Sequence, residues 1–341
     1  MGKIKKYLCL ITLCMFCTII VTPVMGATVE ILQTTNISSK VTAIGGLPKS
    51  VIISGVSGDG SVVVGKVRNK QPPQDYQIFR YTRSSGIESL GTFGKKSIDD
   101  IRLSADGLVI VGSFYIKNEG SHVFRYTQSN GFQDLGTMGQ KALGVNAVSA
   151  DGSVIVGDFS YSSTPENRPL YHAFRYSQSQ GFEDLGTMGA ESAFARGVSA
   201  DGSLIVGNFH VAKRSGSGSL DWGGDHAFSY SRSAGVQDIG AVGGPATFAT
   251  GISNDGSVIV GFFFGGFSFS EYRYHNHVFI YTKTGGVQKL GAMGGASAEA
   301  YSVSADGTQF SGSYVDSSFF TSRESYAYTA KIVLPVTQEK K

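Results

Sequence analysis

Hydrophobic residues in this chain fall into short runs that alternate with turn residues. One such run, Leu204-Ile205-Val206, follows the turn at Asp201-Gly202 and ends at Gly207. A continuous run of mostly β-branched residues predicts a strand that is covered on both faces. The segment His172 to Ser177 alternates instead, with His, Phe and Tyr on one face and Ala, Arg and Ser on the other. No segment after the first 26 residues has a convincing helical period, so the pattern predicts an all-β fold.

The same pattern occurs six times with nearly constant spacing. Each copy begins with an Asp-Gly turn, at Asp59, Asp106, Asp151, Asp201, Asp255 and Asp306. A glycine lies six residues after each Asp, and an aromatic residue follows after 12 to 21 residues. From that aromatic residue to the next Leu/Ile-Gly is always 11 residues, and the next Asp comes 16 later. The unit therefore predicts four strands, with all length variation between strands two and three.

Four strands in 45 to 54 residues are typical of a β-propeller blade. The last copy ends after its third strand, at Tyr326 to Ala330, whereas Ala43 to Gly46 has the pattern of a fourth strand. We therefore predict a six-bladed β-propeller, residues 40–331, that is closed by an N-terminal strand. The coils of a parallel β-helix are much shorter, and an open stack of six sheets leaves the N-terminal pattern unexplained. Residues 27–39 are a predicted lead-in, and 332–341 a polar tail.

The first 26 residues have the pattern of a signal peptide. Three lysines precede an apolar stretch from Leu8 to Val21, and small residues lie before Ala27. An uncleaved membrane anchor is the alternative, but the stretch is short for a span of about 20 residues. All three cysteines lie in this segment, so the exported part has no disulfide. We predict a periplasmic, cell-surface or extracellular protein with no membrane-spanning segment after cleavage.

The balance of charge argues against nucleic acid as a partner. Three of the 29 basic residues and none of the 26 acidic residues lie in the signal, which leaves 26 of each. No basic run is available to follow a phosphate backbone.

A family resemblance is carried by three motifs. The third strand reads His-Val-Phe-Arg-Tyr at 122–126 and His-Ala-Phe-Arg-Tyr at 172–176. Val-Ser-Ala-Asp-Gly-Ser-Val-Ile-Val-Gly at 148–157 and Asp-Leu-Gly-Thr-Met-Gly at 184–189 are the other two. Together they resemble the bacterial HAF-repeat family, over nearly the whole chain after the signal. The resemblance implies export and surface exposure, and it supplies no catalytic residues.

The repeated polar residues favour structural roles. Each Asp-Gly turn offers one carboxylate, whereas a calcium loop needs several oxygen ligands, so no calcium site is predicted. His122, His172, His226 and His277 share one repeat position, which Gln77 and Tyr326 occupy in the other copies. A symmetric metal site is conceivable there, but the exchange with Gln and Tyr favours hydrogen bonding. Asp134, Asp184 and Asp238 precede Leu/Ile-Gly and are expected at turns or edges. No Gly-x-Ser-x-Gly or His-Glu-x-x-His motif and no cofactor site is present.

The variable connection between strands two and three is the candidate recognition surface. Closure of a propeller places all six connections on one face, and loops on a rigid scaffold often carry recognition. Their aromatic residues are the candidate contacts for a partner: Tyr161, Tyr171, Trp222, Phe267, Phe269, Tyr272 and Tyr274. Alternatively, these aromatic residues cap the ring and loop length simply drifts.

We therefore predict a non-enzymatic binding module for a surface protein or a glycan. The alternative is a carbohydrate-active hydrolase or lyase, with acids contributed by several blades. A central pocket lined by two or more carboxylates would favour the enzyme.

Overall fold

The structure is a computed structural model that describes residues 48–69, 76–92, 98–138, 143–163, 169–214, 220–268, 273–315 and 325–332. The described strands form six antiparallel sheets in chain order, which are the blades of a six-bladed β-propeller. The predicted fold class is thereby confirmed. The described residues contain no helix that is long and apolar enough to cross a membrane.

Each blade is a meander of strands in sequence order. Blade 1 contains β1 (Pro48–Val56), β2 (Val62–Asn69), β3 (Tyr76–Thr82) and β4 (Gly86–Gly91). Blade 2 contains β5 (Ile98–Leu103), β6 (Val109–Ile116), β7 (Gly120–Thr127) and β8 (Gly131–Gly136). Blade 3 contains β9 (Leu143–Val148), β10 (Val154–Ser163), β11 (Pro169–Ser177) and β12 (Gly181–Gly186).

The second half of the ring follows the same plan. Blade 4 contains β13 (Ser192–Val198), β14 (Leu204–Arg214), β15 (Leu220–Ser231) and β16 (Gly235–Gly240). Blade 5 contains β17 (Thr247–Ile252), β18 (Val258–Ser268), β19 (Arg273–Thr282) and β20 (Gly286–Gly291). Blade 6 contains β21 (Ser297–Val303), β22 (Gln309–Val315) and β23 (Ser325–Lys331).

Blade 6 has three strands in the part of the chain that the structure describes. The last copy was expected to end after its third strand, and β23 is that strand. The predicted closing strand, Ala43 to Gly46, lies outside the described residues, as do the signal peptide and most of the C-terminal tail. Closure by the N-terminus therefore stays a prediction.

The first strand of each blade is the innermost. Along the ring, β1, β5, β9, β13, β17 and β21 contact one another in succession, so they surround the axis. The hydrophobic cores lie between neighbouring blades. Between blades 3 and 4, for example, Val154 and Val156 pack with Ala195, Ile205 and Phe228. The apolar residues of each second strand are buried on both faces of the blade. They therefore pack into the cores on both sides of that blade.

The glycine that lies six residues after each Asp has a direct structural role. The glycine in each second strand faces the aromatic residue of the third strand, as in the pairs Gly157–Phe174 and Gly207–Phe228. Phe174 and Phe228 are fully buried. A Cβ atom at Gly157 would lie 2.7 Å from the Phe174 ring and 1.9 Å from the carbonyl oxygen of Gly144. Only glycine leaves room for the ring at this position.

The Asp-Gly turns are closed by their own side chains. At Asp201, the carboxylate accepts hydrogen bonds from the Ser199 hydroxyl at 2.6 Å and from the backbone N–H of Ser203 at 3.0 Å. The Ser199 hydroxyl in turn accepts the N–H of Leu204 at 2.9 Å. These bonds hold the pKa of Asp201 below its usual value, with the Ser199 bond the largest cause. The structure thus confirms that these residues form turns.

The turns also join neighbouring blades. The N–H of Ala150 donates to the carbonyl of Ala200 at 3.1 Å, and the N–H of Ala200 donates to Asn254 at 3.0 Å. Similar bonds link Gly58 to Ala105, Asp106 to Ala150 and Asn254 to Ala305. The repeated turn is therefore both a hairpin and the contact between successive blades around the axis.

Candidate functional site

Three neighbouring blades extend their second and third strands well beyond the core. Strands β10, β14 and β18 have 10, 11 and 11 residues, whereas β2, β6 and β22 have 8, 8 and 7. We call these extensions the hairpin wall: residues 159–163 and 169–172, 209–214 and 220–226, and 262–268 and 273–277. The sequence predicted variable loops here. The described parts of these segments are instead antiparallel ladders, and the surplus length in blades 3, 4 and 5 lengthens the hairpins.

Each long hairpin rests on the blade that follows it. The N–H of Tyr171 donates to the hydroxyl of Ser192 in blade 4 at 3.0 Å. The N–H of Asn276 donates to the hydroxyl of Ser297 in blade 6 at 2.9 Å. Asp225 in blade 4 forms a backbone bridge with Ala246 at the start of blade 5. The wall is consequently supported along its length by the scaffold.

Two of the predicted contact residues, Tyr161 and Tyr171, pack against neighbouring side chains in this wall. Tyr161 is 36% exposed, its ring centroid lies 3.8 Å from that of His172, and its hydroxyl donates to the carbonyl of Glu191 at 3.4 Å. The ring centroid of Tyr171 lies 5.1 Å from that of Phe194 in blade 4. Both tyrosines therefore contact the next blade. Either role expected from the sequence, recognition or capping, is compatible with this position.

The other candidates belong to blades 4 and 5. Trp222 lies in β15, and Phe267 and Tyr274 are cross-strand partners in β18 and β19. Phe269 and Tyr272 lie outside the described residues. The fold thus brings the five candidates that it describes to one side of three consecutive blades.

Sequence reasoning missed a second feature, a cavity on the propeller axis. This axial cavity has a volume of ≈ 270 Å³. It is lined by the first strands of blades 2 to 6, at Arg102, Leu103, Asn146, Ala147, Val148, Arg196, Gly197, Val198, Thr250, Gly251, Ile252, Tyr301, Ser302 and Val303. The available signal was the residue five places before each Asp, which differs in every blade and is polar at Asn146, Arg196, Thr250 and Tyr301.

In blades 3 to 6, a β-bulge in the first strand directs one residue towards the cavity. The pairing of first and second strands skips one residue in blades 3 to 6: Asn146, Arg196, Thr250 and Tyr301. A bulge leaves the extra residue unpaired and redirects its side chain. Blade 2 pairs Ile101 and Arg102 without this skip and presents Arg102 instead. Polar side chains from five blades therefore meet at one level of the axis.

Several of these side chains bridge successive blades. The Nε of Arg102 donates to the carbonyl of Asn146 at 2.7 Å, and the Nδ2 of Asn146 donates to the carbonyl of Ala195 at 2.8 Å. The hydroxyl of Thr250 donates to the carbonyl of Ala300 at 2.7 Å. Burial lowers the pKa of Arg102, and the charge of Arg196 lowers it further, whereas Asp100 opposes the change.

The described lining of the axial cavity contains no carboxylate. The acidic residues nearby are occupied by the scaffold. Asp158 accepts a bond from Asn146 at 2.6 Å and lies 3.8 Å from Arg196. Asp100 accepts bonds from Ser113 at 3.1 Å and from the N–H of Val145 at 3.2 Å. Burial raises the pKa of Asp158 and Asp100 adds to the effect, whereas Arg196 and Asn146 oppose it.

Three of the four repeated histidines hydrogen-bond within their own blades, in line with the exchange of this position with Gln. The Nδ1 atoms of His172 and His226 lie 2.9 and 3.0 Å from the carboxylates of Asp184 and Asp238. His122 pairs with Asp134 in the same way at 3.1 Å. Among the described residues, no group of three His, Cys, Asp or Glu side chains could hold a metal ion. These residues join the third strand to the fourth.

No protein-family model matches the sequence, and no curated protein matches it. Solved structures do match. The β-propeller domain of the Trilobed protease from Pyrococcus furiosus has a TM-score of 0.55 and 10% identity, over 83% of each chain. Pyrococcus horikoshii acylaminoacyl peptidase has a TM-score of 0.55 and 11% identity, over 84% of this chain and 46% of that one. TolB from Acinetobacter baumannii has a TM-score of 0.44 and 14% identity, over 71% of this chain and 54% of that one.

This chain therefore spans about half the length of the TolB and acylaminoacyl peptidase chains. At such identities the likeness concerns the fold alone. The two matches with a TM-score of 0.55 support the assignment of a β-propeller.

Proposed function

We propose that this protein is an exported binding module that recognises a surface protein or a glycan through the hairpin wall. One observation carries the proposal: three consecutive blades lengthen the same hairpin on the same side of the ring, and each hairpin rests on the following blade. These hairpins project from the ring and are held by the following blade, so they are already ordered before a partner binds. Binding then costs little conformational entropy, which makes the surface suited to recognition.

The composition of the wall fits this role. Aromatic residues supply large contact areas with few rotatable bonds, and they dominate the energetics of interfaces and of sugar stacking. The wall combines Tyr161 and Tyr171 with the strand positions of Trp222, Phe267 and Tyr274. Export is supported by the predicted signal peptide, and the resemblance to the HAF-repeat family agrees with a surface location.

The absence of carboxylates from the described lining of the axial cavity weighs against the hydrolase or lyase alternative. A glycosidase needs two carboxyl groups on either side of the scissile bond. Here Asp100 and Asp158 are hydrogen-bonded to neighbouring strands and are not part of the cavity lining.

A binding screen tests the proposal. The purified protein is applied to glycan arrays and to bacterial and host surface-protein fractions, beside a variant with Trp222, Phe267 and Phe269 replaced by alanine. We expect the variant to lose at least about tenfold in affinity. A matched control replaces Leu108, Val236 and Val287, three exposed hydrophobic residues away from the wall. Equal binding by the wild type and the wall variant would contradict the proposed surface.

A further inference from the structure

The axial cavity has two chemically distinct levels. Branched apolar side chains come three residues before each Asp of the repeat, and in blades 2 to 6 they line the cavity: Leu103, Val148, Val198, Ile252 and Val303. A second, polar level is formed by the residues that precede these apolar positions by one or two places in each strand. It contains the guanidinium groups of Arg102 and Arg196. The cavity therefore combines an apolar surface with two cationic groups.

Arg102 is held in place without an ionic partner in contact. Its Nε and Nη1 donate to the carbonyl oxygens of Asn146 and Ile101, at 2.7 and 2.9 Å. Among the described residues, no carboxylate oxygen lies within 4.0 Å of this guanidinium. A partly buried cation that lacks a contacting anion carries a desolvation cost, and binding of an anion offsets that cost.

Arg196 is the more accessible of the two. Its side chain is 38% exposed, its Nη1 lies 3.8 Å from Asp158, and its Nε donates to Asn208 at 3.4 Å. The distance to Asp158 is long for an ion pair, so Arg196 can also contact a ligand. Both Arg102 and Arg196 line the same cavity, so both guanidinium groups are available to one anion there.

We propose that the axial cavity binds a small organic carboxylate. The carboxylate is held by Arg102 and Arg196, since planar guanidinium groups match the geometry of a carboxylate. The apolar part of the ligand contacts Val148, Val198 and Ile252. The volume of ≈ 270 Å³ leaves room for a small molecule. This site is separate from the hairpin wall.

Calorimetric titration of the full chain with three matched probes tests this inference. Hexanoate, hexanamide and hexylamine share an apolar chain and differ in the charge of the head group. We expect saturable binding of hexanoate with one site per chain, weaker with added salt, and binding at least about tenfold weaker for the amide and the amine. Equal binding of the amide, or no saturable binding of hexanoate at millimolar concentration, would overturn the proposal.

Variants locate the binding. Arg196→Gln is expected to weaken hexanoate binding at least about tenfold. The control Arg232→Gln removes an equivalent charge from the outer surface, where Arg232 contacts Glu183, and is expected to bind as the wild type does. Arg102→Gln is the second test, after its thermal unfolding has been compared with that of the wild type. If Arg196→Gln and a folded Arg102→Gln both keep the wild-type affinity, the anion site is not in this cavity.

Discussion

Phe174 lies against Gly157 across the β10–β11 ladder, and neither residue can change without disturbing the other. A methyl group at Gly157 would lie within 2.7 Å of the ring and within 1.9 Å of the carbonyl oxygen of Gly144. The same contact recurs in every blade, with Tyr328 in the last. It explains why this position is glycine in all six copies of the repeat.

Phe174→Ala is predicted to reduce the free energy of unfolding by about 3–5 kcal/mol, because it removes a fully buried ring and leaves a cavity. Urea unfolding monitored by fluorescence measures the change. Leu108→Ala is the control, since Leu108 is 65% exposed and is expected to cost less than about 0.5 kcal/mol. A cost near zero for Phe174→Ala would show that this face of the third strand is not core.

Gly157→Ala is predicted to be at least as damaging, although it adds only one methyl group. The added atom collides with backbone on one side and with the Phe174 ring on the other, so relief requires separation of β9 from β10. The combination with Phe174→Ala removes only the collision with the ring. We therefore expect partial recovery of the unfolding midpoint at most, and full recovery would contradict the close contact with the Gly144 carbonyl.

The turn carboxylates predict acid sensitivity. Hydrogen bonds to Ser57 and Ser61 lower the pKa of Asp59 from 3.8 to about 2, and Asp151, Asp201, Asp255 and Asp306 shift in the same direction. A pKa that is lower in the folded state gives stability that is present above the unfolded value and lost as the pH falls through the folded value. We expect the unfolding free energy to drop between about pH 4 and pH 2. Asp201→Asn should make the unfolding free energy depend less on pH in this range.

Asp158 is predicted to behave in the opposite way. Burial raises its pKa in the folded protein, so its contribution is most favourable at low pH and decreases as the pH rises through the folded value. In the wild type this effect lowers the free energy of unfolding as the pH rises from acid to neutral. Asp158→Asn should abolish that part of the pH dependence. Urea unfolding from pH 3 to pH 7 compares this variant with Asp201→Asn. The same change of slope in both variants would contradict the assigned causes.

Closure of the ring predicts a strong effect of the N-terminus. Blade 6 has three strands among the described residues, and each of the other five blades has a fourth. An exposed third strand would leave backbone donors and acceptors unpaired at the edge. Deletion of Ala27 to Gly46 is predicted to lower the melting temperature by many degrees and to promote association. If calorimetry gives the same melting temperature with and without this segment, closure does not use it.

Much of this fold could be predicted from the sequence because its signals are local. The Asp201-Gly202 turn, the β-branched run after it and the fixed distance from Phe228 to Ile239 each depend on contacts within one blade. Six repetitions of such a unit leave few possible architectures.

The sites were less predictable because they depend on how blades meet. The sequence marked the connections of blades 3 to 5 by their length and aromatic content, but it did not show that the strands continue through them. The axial cavity was missed because Asn146, Arg196 and Thr250 are far apart in the chain and differ in type. Only the β-bulges and the packing of successive blades bring them to one level, and neither has a clear local signature.

The most direct test of the proposed function exchanges the long hairpins for a short one that the protein already contains. Residues 162–169, 212–223 and 267–274 are each replaced by the Lys-Asn-Glu turn that joins β6 and β7 in blade 2. Since the core residues are retained, we predict an unchanged fold and similar thermal unfolding, with loss of binding to the partner found in the screen. A variant that unfolds like the wild type and still binds that partner with wild-type affinity would contradict recognition through the hairpin wall.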